Sequence, residues 1–166
     1  MNKQKLLISI IVGLALCASA GCSRFFPCCP PANTLLTQSE AESISGVKLK
    51  LSDEIRDSKK SSCSYVNGKT GADLHWVGLD LHRIKDRDGP ANEAAHRALF
   101  AKYYFEVESV TGLGDSAFIS QDGNEVFLYA RKGTLGLQFR AKSVLPPREA
   151  REKFLAIAHL VMARLE

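Results

Sequence analysis

The sequence predicts an α+β fold: a two-layer sandwich with a mostly antiparallel sheet and its helices on one face. Two observations lead to this class. Six short segments have the apolar and polar pattern of strands, and three longer segments repeat apolar residues at helical spacing near the start, middle and end of the domain. The resulting order, α-β-β-β-α-β-β-β-α, lacks the regular alternation of strand and helix that a parallel sheet requires.

The first helix is predicted over 38–45. Thr37 and Glu40 have capping-box spacing, in which the Thr hydroxyl accepts a hydrogen bond from the Glu40 amide and the Glu side chain reaches back to the Thr amide. Gly46 follows and suits the left-handed conformation that ends many helices. Local signals therefore define both ends of this helix.

The first two strands are predicted over 47–51 and 61–66. Residues 47–51 alternate apolar and polar side chains, and the charged stretch after them is expected to be a loop. Asn67-Gly68 follows the second strand and is a strong short-range hairpin signal. We therefore expect the second strand to turn tightly into the third.

The third strand is predicted over 74–84. It alternates so that Val77, Leu79 and Leu81 face the core while the residues between them face water. The middle helix begins at Gly89-Pro90 and ends near Tyr103. Its small apolar residues are expected to let it lie close against the sheet; they are Ala91, Ala94, Ala95, Ala98 and Leu99.

The second half of the domain is predicted to be a meander followed by a helix. Residues 105–110 are extended, and Gly112-Leu-Gly-Asp115 forms a turn. Three strands follow over 117–120, 125–131 and 134–140. Pro146-Pro147 begins the last helix, whose core-facing residues are Phe154, Ala158, Val161 and Leu165.

The N-terminus has the pattern of an export signal. Lys3 and Lys5 precede an apolar run over 6–20, which is shorter than the roughly twenty residues of a spanning helix. Cleavage after the A-x-A site at 18–20 would release a soluble chain. Ser19-Ala-Gly-Cys22 resembles a bacterial lipobox, which instead makes Cys22 the first mature residue and the site of lipidation.

The lipobox interpretation gives a signal peptide at 1–21, a Cys- and Pro-rich tether at 22–34 and one α+β domain at 35–166. It predicts a protein attached to the membrane through its lipid anchor, facing the periplasm. Ser23 stands where an Asp would resemble an inner-membrane retention signal, which favours the outer membrane. Acyl chains gain about 0.8 kcal/mol per buried methylene group, so two or three chains hold a small domain firmly.

The cysteines that remain after acylation of Cys22 are Cys28, Cys29 and Cys63. Because export places them in an oxidising compartment, we expect Cys63 to form a disulfide with either Cys28 or Cys29. No C-x-x-C pair and no H-x-x-x-H pair occurs, so neither a metal site nor a cofactor is expected.

Net charge gives no indication of a nucleic-acid partner. The chain has 22 basic and 18 acidic residues, a formal charge of +4, and removal of Lys3 and Lys5 with the signal leaves +2. Neither a basic stripe nor interleaved aromatic residues are present. The expected partners are therefore the membrane and an envelope protein.

Two patterns in the sequence have features of catalytic or nucleotide-binding sites. Gly112-Leu-Gly-Asp-Ser-Ala117 matches a loose nucleotide fingerprint, but the segment after it is a strand and not the helix that binds phosphates, which favours a simple turn. Asp80 and His82 share the wet side of the third strand, where an exposed ion pair is expected. Trp76 lies on that side too, where it is either an exposed interface residue or covered by the N-terminal tether or a loop. If that side is open, Trp76, Asp80, His82 and Tyr129 are the candidate binding surface.

Three further stretches carry a resemblance to a known group of proteins. Cys63-Ser-Tyr65, Val110-Thr-Gly-Leu-Gly-Asp-Ser-Ala-Phe118 and Leu128-Tyr-Ala-Arg-Lys-Gly133, with the closing helix, are similar to small secreted bacterial lipoproteins of unknown function, best known from actinobacteria. The resemblance implies that Cys63 is a disulfide cysteine. It implies no catalytic residue.

The function expected from the sequence is that of a lipid-anchored envelope lipoprotein acting as a non-enzymatic binding or accessory module. Two alternatives remain open. One is a small secreted hydrolase that uses Asp80, His82 or Asp115, and the other is a soluble secreted inhibitor or ligand-binding protein. A cleft that encloses His82 beside a nucleophile would favour the hydrolase.

Overall fold

The computed structural model describes residues 29–85, 89–103 and 106–165, so the predicted signal peptide, Cys22 and Cys28 lie outside the described residues. Within these ranges seven strands form one sheet, and helices lie on both of its faces. The strands are β1 (Lys50–Arg56), β2 (Lys60–Val66), β3 (Trp76–Arg83), β4 (Val107–Ser109), β5 (Ser116–Asp122), β6 (Glu125–Lys132) and β7 (Leu135–Lys142). The helices are α1 (Ala32–Leu35), α2 (Gln38–Ser45), α3 (Gly89–Tyr103) and α4 (Pro147–Ala163), with a 3-10 turn at Gly71–Asp73.

The sheet joins two antiparallel meanders. Its strand order is β1-β2-β3-β7-β6-β5-β4, so each meander is consecutive in the chain and the two meet where β3 pairs with β7. Every pairing is antiparallel, which confirms the predicted α+β class. The long connection from β3 to β4 contains α3, and that helix allows the chain to cross to the far edge of the sheet.

One face of the sheet carries α1, α2 and α4, and the main core lies beneath them. Phe139 of β7 stacks on Phe154 of α4, with ring centroids 4.3 Å apart. The Tyr65 hydroxyl donates a 2.8 Å hydrogen bond to the Leu36 carbonyl, which fixes the chain between α1 and α2 to β2. Burial of these large apolar side chains is the main source of stability.

Residues 29–36 are part of this core, although the sequence places most of them in the tether. Cys29, Ala32, Leu35 and Leu36 are each less than 5% exposed. The backbone amide of Ala32 donates a 2.9 Å hydrogen bond to the buried Ser61 hydroxyl of β2. The entering chain is therefore attached to the sheet from Cys29 onward.

The middle helix α3 lies on the opposite face of the sheet, so the expectation that all helices share one face holds only for the others. It covers a second, smaller apolar cluster of Phe118, Phe127 and Tyr129, to which it contributes Phe100. Strand alternation explains the two clusters, because Leu128 and Ala130 face the main core while Phe127 and Tyr129 face α3.

Two local predictions in the first meander are wrong. The charged stretch after residue 51 is not a loop, because β1 continues to Arg56 and pairs with β2. Asn67-Gly68 does not form a two-residue hairpin. Asn67 instead closes a longer loop, since its side-chain Nδ2 donates to the Asp73 carbonyl at 2.7 Å and its side-chain Oδ1 accepts from the His75 backbone amide at 3.2 Å.

The strongest local signals are confirmed. The capping box of α2 is complete, with the Glu40 amide bonded to the Thr37 side chain and the Glu40 carboxylate bonded to the Thr37 amide at 2.9 Å. Gly46 ends that helix at φ 77°. The last helix begins at Pro147 and buries Phe154, Ala158 and Val161 as the spacing predicts.

Candidate functional site

The face of the sheet that carries α3 has a covered half and an open half. Helix α3 contacts the sheet through one line of side chains at helical spacing, Asn92, His96 and Phe100. The predicted contact stripe points the other way, because Ala91, Ala94, Ala95, Ala98 and Leu99 are all exposed. Polar and aromatic groups therefore hold this helix, and the alanines face outward.

Tyr129 belongs to the covered half and is not part of an open surface. Its side chain is fully buried because α3 lies over it. Its hydroxyl donates a 2.8 Å hydrogen bond to Asn92 Oδ1, and its ring stacks on His96 with centroids 4.7 Å apart. Burial raises the pKa of Tyr129 to about 12, so the hydroxyl stays protonated and keeps donating to Asn92.

His82 lies at the margin of α3 and is half-buried. Its ring centroid is 6.0 Å from that of His96, and Asn92 hydrogen-bonds its side chain. Gly136 on β7 gives the ring its space, because a Cβ there would overlap the imidazole. Burial lowers the pKa of both His82 and His96, and in His96 the nearby His82 lowers it further.

The expected ion pair between Asp80 and His82 is not the one that forms. Asp80 Oδ2 instead accepts a hydrogen bond from Arg140 Nη2 on β7 at 2.9 Å. Sequence reasoning missed Arg140 because only the β3–β7 register, with Gly78 opposite Arg140 and Asp80 opposite Gln138, brings it to this place. His82 thus belongs with the helix contact, and Asp80 with the open surface.

The open half contains a shallow cleft of about 310 Å³ across β1, β2, β3 and β7. Its floor is made of small residues that are neighbours in the register, Ser62 and Ser64 on β2 and Gly78 on β3. A Cβ added to Gly78 would meet only the Cys63 carbonyl oxygen, at 3.7 Å, so the space above it is unfilled. We refer to this surface as the Trp76 cleft. It comprises the floor of Ser62, Ser64 and Gly78 and the surrounding side chains of Asp53, Ile55, Lys60, Trp76, Asp80 and Arg140.

Side chains of both charges wall the Trp76 cleft. Trp76, Asp80 and Arg140 line one side. The other side is lined by Asp53, Ile55 and Lys60. Besides the alternation that placed Trp76 and Asp80 on this face, the sequence offers a glycine within a strand, Gly78, a feature that often marks a close approach of another group.

The Trp76 indole is held in a defined orientation at the cleft wall. Its ring meets Phe127 edge-on, with centroids 6.4 Å apart and an interplanar angle of 64°. The Arg140 guanidinium carbon lies 5.8 Å from the Trp76 ring centroid, within range of a cation–π contact. Trp76 and Asp80, two of the predicted surface residues, are thus brought together, and both remain partly exposed.

A second cavity, of about 430 Å³, lies beside the Gly112–Asp115 turn. Two of its polar groups, Asp115 and Lys132, already have structural roles. Asp115 Oδ2 accepts from the Gly133 amide at 2.7 Å, and the Lys132 ammonium donates to the Met162 carbonyl at the end of α4. The turn leads directly into β5, so it has the geometry of a turn and lacks the helix that a nucleotide fingerprint needs.

Cys63 and Cys29 are both buried in the main core. Burial raises the pKa of the Cys63 thiol to about 12. No disulfide joins Cys63 to Cys29 in the structure. The predicted disulfide stays a prediction, because its other candidate, Cys28, lies outside the described residues.

The described residues contain neither a cluster of metal ligands nor a helix suited to span a membrane. In 29–85, 89–103 and 106–165 there is no group of three His, Cys, Asp or Glu side chains placed to hold a metal ion. Over the same ranges, no helix combines the length and the hydropathy needed to cross a bilayer.

Comparison of the chain with models of known protein families, with curated proteins and with solved structures finds no match.

Proposed function

We propose that this chain is a lipid-anchored protein of the cell envelope that works as a non-enzymatic binding module. Acylation of Cys22, at the periplasmic side of the outer membrane, is the proposed attachment. The observation that carries the binding role is the Trp76 cleft, where an oriented indole, two carboxylates, a guanidinium and two hydroxyls surround unfilled space. Small-molecule sites commonly combine such a concave surface with a few convergent polar groups.

The position of the chain entry supports this arrangement. Ala32 is bonded to Ser61 on the face that carries α1, α2 and α4. The next residue of β2, Ser62, lines the Trp76 cleft, because successive side chains of a strand point to opposite faces. The described part of the entering chain, from Cys29 onward, therefore lies on the face opposite the cleft.

The short tether limits where a ligand is met. Cys22 precedes Cys29 by seven residues. A chain of that length spans about 25 Å at most when fully extended. The cleft is thus expected to act on components that lie close to the membrane surface.

Mass spectrometry of the mature N-terminus tests the attachment. We expect the first residue to be an acylated Cys22, and a Cys22→Ser variant to appear in the soluble periplasmic fraction. The matched control is Cys63→Ser, which should remain in the membrane fraction because its thiol lies in the core. A mature chain that begins at unmodified Gly21 would contradict the anchor.

Retention on washed envelope fragments tests the binding role. The soluble Cys22→Ser chain should be retained, and addition of Gly78→Val should abolish retention by filling the cleft floor. Gly78 has ordinary strand backbone and room for a side chain, so this variant should fold. Leu51→Ser is the control, since Leu51 is 45% exposed on β1 and is paired with Tyr65, away from the cleft floor. Equal retention of the Gly78→Val and Leu51→Ser variants would mean that the cleft is not the site.

A further inference from the structure

We infer that the ligand of the Trp76 cleft is an uncharged saccharide; this rests on the proposed binding role. The shape of the cleft is the first indication. Ser64, Gly78 and Arg140 lie side by side across β2, β3 and β7, so a low floor meets a long side chain at its edge. The trough this makes is shallow and open, which suits one or two sugar rings of a longer chain better than an enclosed metabolite.

The aromatic wall supplies the second argument. A pyranose ring has an apolar face of C–H groups and a rim of hydroxyls, so it needs a flat aromatic surface beside polar groups. Trp76 is partly exposed, and its edge-on contact with Phe127 fixes the ring plane. An indole whose orientation is already fixed loses little conformational entropy when a ligand stacks on it.

The charges supply the third argument, because they are balanced within the cleft. Asp80 is paired with Arg140, and the lining also contains Asp53 and Lys60. A phosphate or an acidic polymer would meet the two carboxylates, and a cationic peptide would meet the guanidinium and the ammonium. A hydroxyl-rich neutral ligand has no such conflict, since each hydroxyl can donate to a carboxylate or accept from a guanidinium.

The chemistry of the lining also argues against an acyl chain. Apart from Trp76, Ile55 and Cys63, the cleft is lined by hydroxyl, carboxylate, ammonium and guanidinium groups and by the bare backbone at Gly78. A lipid tail would bury these groups without hydrogen-bond partners, which is costly. The hydroxyls of a sugar would pair with them instead.

Tryptophan fluorescence tests the inference directly, because Trp76 is the only tryptophan in the chain. The acylated full-length protein in detergent is titrated with chitotetraose, cellotetraose and maltotetraose, and with trigalacturonate as the acidic comparison. We expect at least one neutral oligosaccharide to shift the emission and saturate, and Gly78→Val to weaken that binding by about tenfold or more. Leu51→Ser should leave it unchanged. Preference for trigalacturonate, or no response to any neutral probe up to about 10 mM, would overturn the inference.

Enzymatic treatment of the envelope fragments separates this inference from the proposed function. If the ligand is a saccharide, retention of the Cys22→Ser chain survives protease treatment of the fragments and is lost after treatment with a glycan hydrolase. Loss after protease treatment alone would identify a protein partner, which overturns the saccharide inference and leaves the binding role intact. Failure of the chain to bind untreated fragments would contradict the proposed function itself.

Discussion

Glu40 and Arg164 are 124 positions apart in the chain and form a two-point ion pair. Arg164 Nη2 lies 2.6 Å from Glu40 Oε1, and Nη1 lies 2.9 Å from Oε2. The same Glu40 carboxylate accepts the amide of Thr37, which is the N-cap of α2. One side chain thus caps the first long helix and holds the end of the last helix beside it.

Glu40→Gln should destabilise the protein by about 1 to 3 kcal/mol, because the amide keeps the shape of the carboxylate but loses the charge that binds Arg164. The carboxylate is only 15% exposed, so solvent screens the pair less than it screens a surface pair. Urea unfolding at neutral pH measures the difference. Glu149→Gln, which removes an exposed pair with Lys153, is the control and should change stability by less than about 0.5 kcal/mol. Equal losses in the two variants would contradict the role of Glu40.

The Glu40 pair should also make stability depend on pH in acid. The Arg164 guanidinium, opposed by partial burial, lowers the pKa of Glu40 from 4.5 to about 2. A carboxyl whose pKa is lower in the folded state stabilises the fold above pH 4.5, and this contribution is lost as the pH falls toward 2. The stability difference between the parent and Glu40→Gln should therefore shrink between pH 5 and pH 2. A difference that stays constant over this range would show that the ionised carboxylate is not the source.

Gly114 and Gly112 offer a matched pair of substitutions in the turn before β5. Both have positive φ, 72° and 74°, so alanine is strained at either position. Only at Gly114 would the new Cβ also overlap the Arg131 carbonyl and the Met162 methyl group, whereas Gly112 faces open space. We expect Gly112→Ala to cost about 1 kcal/mol and Gly114→Ala about 3 kcal/mol or more, measured by thermal and urea unfolding. Equal costs would mean that backbone conformation alone selects glycine in this turn.

The sequence predicted the features that depend on neighbouring residues. The capping box at Thr37 and Glu40, the start of α4 at Pro147 and the alternation of β3 all follow from local chemistry, and the structure confirms them. The features that depend on which elements meet in space were not predictable in this way. The alternation of side chains along β3 correctly placed Trp76 and Asp80 on the face of the sheet opposite the main core. It gave no sign that α3 would cover the neighbouring strands on that face.

The middle helix shows why local pattern misled. An alanine stripe fits close packing on a sheet, yet α3 turns Asn92, His96 and Phe100 inward because they meet His82, Tyr129 and Phe118 there. Its hydrogen bonds and ring contacts satisfy polar groups that would otherwise be buried alone. Likewise, Arg140 became part of the candidate site only through the register of β7 against β3.

The Cys63 thiol should react slowly with alkylating reagents in the reduced, folded protein. Burial raises its pKa to about 12, so almost none of it is the reactive thiolate at pH 8. Iodoacetamide labelling followed by peptide mass spectrometry should show little modification of Cys63 under native conditions and rapid modification in urea. When protein isolated from the periplasm is unfolded in urea without a reductant, Cys63 should remain unlabelled if Cys63 forms the predicted disulfide. Fast native labelling would show that the core around Cys63 opens readily.

Acidification should loosen α3 through the two imidazoles that hold it. Burial lowers the pKa of His82 and His96 below the ordinary value of 6.5. As the pH falls below 6.5, the unfolded chain therefore takes up protons at these imidazoles more readily than the folded protein, and the free energy of unfolding decreases. The Asp80 carboxylate acts in the opposite direction and raises the pKa of His82. Glu93 and Arg131 are the charged groups near Tyr129, on which the His96 ring stacks. Urea unfolding from pH 7.5 to pH 5 should show falling stability in the parent and a flatter profile in the His82→Gln/His96→Gln variant. His159→Gln, a change at an exposed position on α4, is the control and should keep the parent profile. A variant lacking both imidazoles that lost as much stability in acid as the parent would assign the pH dependence to other groups.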